Sequence, residues 1–370
     1  MLTSHADDLA RLAAAGRART LRPRDGVDFA SNDYLALGDA ARLRDALTAA
    51  IARGVPVGSG GSRLLRGNDP EHEALEAEAA AFFGAGASLY FASGYTANVA
   101  AFSTLPQRGD LVLCDALIHA SAHDGMRLGR AETRSVPHND ADAFADAIAD
   151  WRRAGGTGRA WIAVESLYSM DGDRAPLADL AAIADRHDAF LMIDEAHATG
   201  VFGDRGRGLA ADLQGRDNVV TLHTCGKAMG CEGALLNTPV MLRDFLVNRA
   251  RPFIFSTAPS PLMAGVAREA LRCLAGEPER RAALWDRVAH AEMRLAAHGV
   301  TPTGSQILPL IIGDDADTMR RAAALQAAGL DVRGIRPPTV PAGTARLRIS
   351  ITLNASLADI DALADALEAS

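Results

Sequence analysis

Phe190-Leu191-Met192-Ile193-Asp194-Glu195-Ala196-His197 runs from an apolar segment straight into a carboxylate. Further along, Thr221-Leu222-His223-Thr224-Cys225-Gly226-Lys227 runs from a second apolar segment to a lysine. Short apolar runs with polar borders read as strands buried on both faces, the mark of a parallel sheet covered by helices. The pattern extends outward from these two stretches. Strand-like runs at Ser88 to Ala92, Leu111 to Cys114, Ala160 to Val164 and Val219 to Leu222 alternate with helical stretches near 95–105, 121–129, 140–154 and 177–187. This alternation predicts an α/β fold with a mainly parallel sheet.

The sheet-forming region is expected over 36–239, after a short helical lead-in over 1–35 that turns around Pro23 to Gly26. Asp69-Pro70 opens an amphipathic helix over about 70–84, with proline at its first position. After Lys227 the texture changes to a long helical region at 257–298, a strand-like Ile307 to Ile312, a helix near 315–328, a strand-like Arg346 to Thr352 and a helix near 356–368. These predict a smaller α+β domain over 240–370, with no repeat and no low-complexity linker.

Composition narrows the function classes. The chain has 370 residues, 48% hydrophobic, with 46 acidic and 38 basic side chains and a net charge of −8. An acidic chain without a polybasic run is a poor ligand for nucleic acid or an anionic membrane. No apolar stretch is long enough to span a bilayer, and the opening residues lack the basic and apolar regions of a signal peptide. Cys114, Cys225, Cys231 and Cys273 form no CxxC pair and fit a reducing cytoplasm.

Of the 38 basic residues one is a lysine, Lys227, and 37 are arginine. A guanidinium stays charged and is no nucleophile, so a lysine kept in so arginine-rich a chain points to covalent amine chemistry, most often a Schiff base. In open parallel sheets ligands bind at the carboxyl ends of strands. Asp194, His119 in the run Leu113 to Ser121, and Lys227 all fall at such ends. A lysine, a buried carboxylate and imidazoles meet the needs of pyridoxal phosphate, whose aldehyde takes an amine and whose ring nitrogen takes an acid. Its phosphate takes backbone amides at a helix start, which Ser93-Gly94-Tyr95-Thr96 supplies, and hydroxyls such as Thr224, Ser256 and Thr257. A metal site is the rival use of Asp194, Glu195 and His197, but no second cluster has metal-ligand spacing.

Over essentially its whole length the chain resembles the α-oxoamine synthases, which are fold-type I pyridoxal phosphate enzymes. The similar segments are Ser31 to Leu35, Gly58 to Arg63, Ser93-Gly94-Tyr95, His119-Ala120-Ser121, Glu165 to Asp173, Asp194 to His197, Thr224 to Lys227 and Phe255 to Thr257. The run Ile335 to Arg348 is most similar to the biotin-synthesis branch, which joins L-alanine to a pimeloyl thioester of coenzyme A or acyl carrier protein. The resemblance implies a homodimer with shared active sites. It implies that Lys227 carries the cofactor and moves the substrate α-proton, that Asp194 pairs with the ring nitrogen, and that His119 stacks on the ring. His197 and Ser169 would lie near the phenolic oxygen, and Gly94, Tyr95, Thr224, Ser256 and Thr257 would hold the phosphate. Asn32, Thr339 and Arg348 would contact substrate, together with an N-terminal arginine taken as Arg19, with Arg17 and Arg22 as alternatives.

The chain departs from the family at Ala198, where glycine is usual, and at Cys231-Glu232, where small neutral residues are usual. Asp171-Gly172-Asp173 reads as a turn rather than as catalytic, and Gly58 to Gly61 reads equally well as a flexible turn. A fold-type I transaminase would keep Lys227 and Asp194. A non-catalytic cofactor-binding module would need a DNA-binding segment, and none is visible.

Overall fold

A computed structural model describes residues 2–368. The described residues form two compact units, one of Leu35–Ser169 with Asp173–Arg281, the other of the residues up to Tyr34, Met170–Gly172 and those from Ala282 onward.

The first unit is built on seven strands: β1 (Ala87–Phe91), β2 (Leu111–Asp115), β3 (Glu132–Val136), β4 (Ala160–Glu165), β5 (Phe190–Asp194), β6 (Val219–Thr224) and β7 (Ala234–Thr238). Their order is β1-β7-β6-β5-β4-β2-β3. Only β7 runs antiparallel to its neighbours; the remaining pairs are parallel. Alternate residues feed two cores, one on each face: Val112 and Cys114 join Phe102, Trp161 and Leu222, while Leu111 and Leu113 join Phe144, Ile148 and Ile193. That two-sided burial is why these strands read as continuous apolar runs.

Two strands of this sheet lie outside the sequence expectation. β3 is the polar run Glu-Thr-Arg-Ser-Val, largely exposed at the sheet edge; an edge strand has one neighbour and little to bury. β7 lies in the stretch where the sequence reading ends the parallel pattern, and it inserts between β6 and β1.

The register places functional groups side by side. Glu165 lies opposite Asp194 and Asp194 opposite Leu222. Phe91 and Thr224 both face Ala234, so the ends of β1 and β6 meet at the same edge.

The second unit has an antiparallel sheet of β8 (Ile307–Gly313), β9 (Arg333–Ile335) and β10 (Ala345–Ser350), in the order β9-β10-β8. Leu308, Leu347 and Ile349 of the sheet and Leu325, Ile360 and Leu363 of the helices Asp315–Ala327 and Leu357–Glu368 are buried.

The first division falls between Tyr34 and Leu35, one residue from the expected boundary at 35, and the second falls between Arg281 and Ala282 rather than at 240. Residues 240–281 stay with the large sheet, because helix Pro261–Gly276 buries Leu262, Val266, Leu271 and Leu274 and packs on the helices Ala41–Ala52 and Pro70–Phe83. The lead-in joins the second unit, because Val27–Asp28 pairs in parallel with Leu330–Asp331. The single helical region expected at 257–298 is two helices, broken where Pro278 opens the second.

A half-buried ion network, centred on the buried Asp115, braces the sheet end of β2. His138 bonds Asp115 through Nδ1 (2.8 Å) and Asp173 through Nε2 (2.7 Å). Burial opposes the His138 charge, but the hydrogen bonds to Asp115 and Asp173 outweigh it and push its pKa up to about 10. A group raised in the folded state contributes fully below its unfolded pKa of about 6.5, and that contribution is lost as pH rises through the folded value. His138→Ala should therefore cost about 2–4 kcal/mol at pH 6, because Asp115 is left buried without its cation. Denaturant melts at pH 6 and pH 10 should show the gap between wild type and variant shrinking at the higher pH; a gap independent of pH would contradict this account.

Candidate active site at the strand ends

The parallel strands deliver their last residues to one edge, and the loops there carry the chemistry. β5 ends in Asp194. Its Oδ1 accepts the Ala196 amide (2.9 Å) and its Oδ2 accepts Asn98 Nδ2 (2.7 Å). The same Asn98 amide group donates to Ser121 Oγ (2.9 Å). Ser121 in turn meets His119 Nδ1 through its hydroxyl (2.8 Å) and its backbone amide (3.3 Å). A backbone amide only donates, so Nδ1 is an acceptor and the neutral ring carries its proton on Nε2. Desolvation, with Lys227 and His123 adding to it and Asp194 opposing, holds the His119 pKa below its ordinary value.

Lys227 follows β6 in a loop closed by the Cys225 amide donating to the Gly233 carbonyl (2.8 Å). Gly233 has φ +100° and its Cα packs on Tyr90; a Cβ there would fall 2.4 Å from the ring. Lys227 Nζ lies 2.7 Å from Nε2 of the buried His197. The fold thus brings Asp194, Lys227 and His197 together, with His119 joined through Asn98 and Ser121.

Ser93 caps helix Gly94–Thr104, its hydroxyl taking the Thr96 amide. This leaves the amides of Gly94 and Tyr95, which a helix start cannot pair internally, at the same edge as Thr224. Gly94 faces Thr224, whose Cβ and Oγ1 would lie 3.6 Å from an added Cβ. The exposed Tyr95 hydroxyl donates to Asp124. The Ser169 amide donates to Glu165 Oε2 (3.2 Å).

Ser256 and Thr257 sit on an exposed loop after the short helix Arg251–Ile254. That loop is tied down: Ser59 Oγ donates to the Ala258 carbonyl (2.7 Å), the Ala258 amide donates to Gly61 (2.9 Å), and His72 Nε2 meets Pro259 O (2.8 Å). The glycine-rich segment is thus a clamp on this loop rather than a free turn.

The other residues singled out in the sequence have structural partners. Glu195 is fully buried and accepts the amides of Leu209 (2.9 Å) and Ala210 (2.6 Å), a structural latch. Ala198 is buried and is not among the residues with positive φ, so the family's usual glycine is not required there. Asp171 accepts from Arg346, and Asp173 accepts from His138 and Asn139, as befits a turn.

In the second unit Arg348 is buried and donates to Ser350 Oγ (2.7 Å), Asn32 Oδ1 (3.0 Å) and Tyr34 Oη (3.5 Å). The Tyr34 hydroxyl also donates to Asn32 (2.9 Å). These neutral oxygens orient the guanidinium. Arg19 and Thr339 line one cavity of about 880 Å³ with Leu9, Leu12, Met319 and Arg336. Arg17 is committed to Asp315 (2.9 Å) and Arg22 to Gln326 (3.3 Å); Arg19 makes no such bond among the described residues.

Sequence reasoning missed Asn98, Ser121 and the position of Glu165. Asn98 stands on a helix whose other buried residues are alanines, Phe102 and Thr104, where one buried amide is a signal. Glu165 ends a buried strand just as Asp194 does.

A family model described as aminotransferase class I and II matches residues 24–367. The chain is 45% identical over 353 residues to 8-amino-7-oxononanoate synthase from Burkholderia thailandensis, covering 93% of this chain and 88% of the relative. It is 42% identical over 378 residues to the enzyme of that name from Anaeromyxobacter dehalogenans, covering 98% and 94%. Among solved structures it is similar to a serine palmitoyltransferase from S. paucimobilis with bound PLP and myriocin, at TM-score 0.90 and 26% identity, covering 100% of this chain and 96% of that one. An 8-amino-7-oxononanoate synthase structure from Francisella tularensis gives TM-score 0.78 and 27% identity, covering 93% and 97%.

The geometry makes the His119 ring a neutral Nε2–H tautomer at pH 7, and nitrogen-detected NMR of histidine-labelled protein should report that form. Ser121→Ala should shift the Nδ1 resonance. A protonated ring, or the opposite tautomer, would break the chain from Asp194 to His119.

Proposed function

The chain belongs to the class I and II aminotransferase family and, within it, to the 8-amino-7-oxononanoate synthases, and we propose that it joins L-alanine to a pimeloyl thioester with loss of carbon dioxide. It is a pyridoxal phosphate-dependent acyltransferase of biotin synthesis. Alanine, the thioester and one proton give 8-amino-7-oxononanoate, carbon dioxide and the free carrier thiol.

The residues at the strand ends suit the cofactor. A single lysine amine lies beside an imidazole, an acid is set by two donors, and helix-start amides stand next to a threonine hydroxyl. Lys227 would hold the aldehyde carbon, Asp194 the ring nitrogen, and His197 and Ser169 the phenolic oxygen. Gly94, Tyr95, Thr224, Ser256 and Thr257 would hold the phosphate, the last two from a partner subunit in a homodimer. When bound, the cofactor supplies an aldehyde for the amine and a ring that takes up an electron pair from the substrate carbon.

The protein's own groups do the rest. The Asp194 carboxylate keeps the proton on the ring nitrogen. The Lys227 amine takes the α-proton of alanine and later returns a proton to the same carbon. The His119 ring stacks, and its Nε2–H donates to the oxyanion that develops on the thioester carbonyl. Arg348, oriented by Asn32, takes the alanine carboxylate as a bidentate pair. The long acyl chain with its terminal carboxylate suits the cavity of Arg19 and Thr339, which combines cationic and apolar walls. The four cysteines are free thiols, which suits a cytoplasmic enzyme. No helix among the described residues is long and apolar enough to cross a membrane.

The observation that carries this reading is the contact of the only lysine with His197, three residues after Asp194, at the strand ends. Its test is a matrix of alanine, glycine and serine against pimeloyl, succinyl, acetyl and palmitoyl thioesters, scored by thiol release. Alanine with pimeloyl thioester should lead every other pair. Preference for glycine with succinyl or acetyl thioester, or for serine with palmitoyl thioester, would overturn the assignment; amino transfer to an oxo acid without thiol release would favour a transaminase. Asp194→Asn should still bind cofactor yet lose α-proton exchange from alanine by about a hundredfold or more, in line with removing one preorganised group. Near-normal exchange would remove Asp194 from the mechanism.

A further inference from the structure

Glu165 ends β4 in register with Asp194, and it is a buried acid that the mechanism above does not use. Its Oε2 accepts the Ser169 amide at 3.2 Å. Its Oε1 is buried and has no hydrogen-bond partner. Asp194, in contrast, has two donors at 2.7 and 2.9 Å and is partly open to solvent. The charged and titratable groups around Glu165 are Asp194 on β5, Lys227 after β6, His119 after β2, and Tyr168 on its own loop. One lysine does not balance two neighbouring carboxylates, and the cost of carrying charge falls on the buried, less well bonded Glu165.

We propose that Glu165 is a further positioning residue of this active site, a neutral carboxyl whose Oε1–H is a hydrogen-bond donor to an anionic oxygen of the bound cofactor or of the amino acid. The inference rests on the proposed function for what binds, but not for the protonation of Glu165. Burial first, and the nearby Asp194 second, raise the Glu165 pKa, while Lys227 and the backbone of Ser169 and His119 work in the opposite direction. A neutral carboxyl removes the repulsion between the two neighbouring acids, and it holds the Ser169 backbone, a residue the proposed function places at the phenolic oxygen.

Infrared difference spectroscopy of the cofactor-free protein at pH 7, wild type against Glu165→Gln, tests the protonation directly. The wild type should show a neutral-carboxyl carbonyl band that the variant lacks. In holoenzyme, Glu165→Ala should lose about tenfold, and Glu165→Gln, which keeps an N–H donor at that place, should rescue most of the loss. The loss should fall on cofactor affinity, read by absorbance titration, if the acceptor belongs to the cofactor, and on the KM for alanine if it belongs to the amino acid. An unchanged band in Glu165→Gln would show that Glu165 is ionised and overturn the proposal. So would a Gln variant as impaired as Ala, or changes confined to melting temperature. The spectrum needs neither substrate nor cofactor, so a failed substrate assignment and a failed Glu165 assignment remain distinguishable.

Discussion

Two acids stand in register at the ends of neighbouring parallel strands, and water is largely excluded from one of them. Strands lie about 4.8 Å apart, so at an effective dielectric of about 20 two carboxylates there would repel by roughly 3 kcal/mol before any cost of burial. The fold tolerates Glu165 beside Asp194 only with an amine within reach and a proton shared among the group. Lys227 is that amine. It acts on both Glu165 and His119, and its nitrogen touches His197. An arginine in its place would balance the charge as well, but it would forfeit an amine able to lose its proton and attack carbon. A chain with 37 arginines and one lysine shows how sharply that requirement acts at a single position.

The register itself rests on packing. β2, β4 and β6 are buried along their whole length, and their alternate side chains enter separate cores. A slip of one residue would carry Asp194 and its neighbours to the wrong face, against the burial of both cores. The loops then add local ties of their own, through the capped helix start at Ser93, the Cys225 to Gly233 closure and the clamp of Ser59 on Ala258.

Much of this was legible in the sequence because its causes are local. Buried parallel strands write themselves as apolar runs, and Asp194 and Lys227 sit directly after two of them. The polar edge strand β3 carries no such signal, since pairing rather than composition makes it a strand, and β7 is buried throughout but apolar only over Ala234 to Leu236. That the lead-in joins the second unit was not legible, because Val27–Asp28 pairs with residues some three hundred positions away, a contact that no window on the sequence contains. Asn98 and Ser121 escaped notice for the same reason: the bridge from Asp194 to His119 exists only once helix Gly94–Thr104 lies beside the start of helix Ala120–Leu128. Glu195 looked like part of a functional cluster by adjacency, yet its carboxyl turns to the amides of Leu209 and Ala210.

The central claim is that Lys227 is the residue to which the cofactor is bound. Borohydride reduction of the protein loaded with pyridoxal phosphate, followed by peptide mapping, tests it most directly. One pyridoxyl label per chain is expected, on the peptide containing Lys227 and on that residue. Cofactor-loaded protein with Lys227 unlabelled after reduction would contradict the claim.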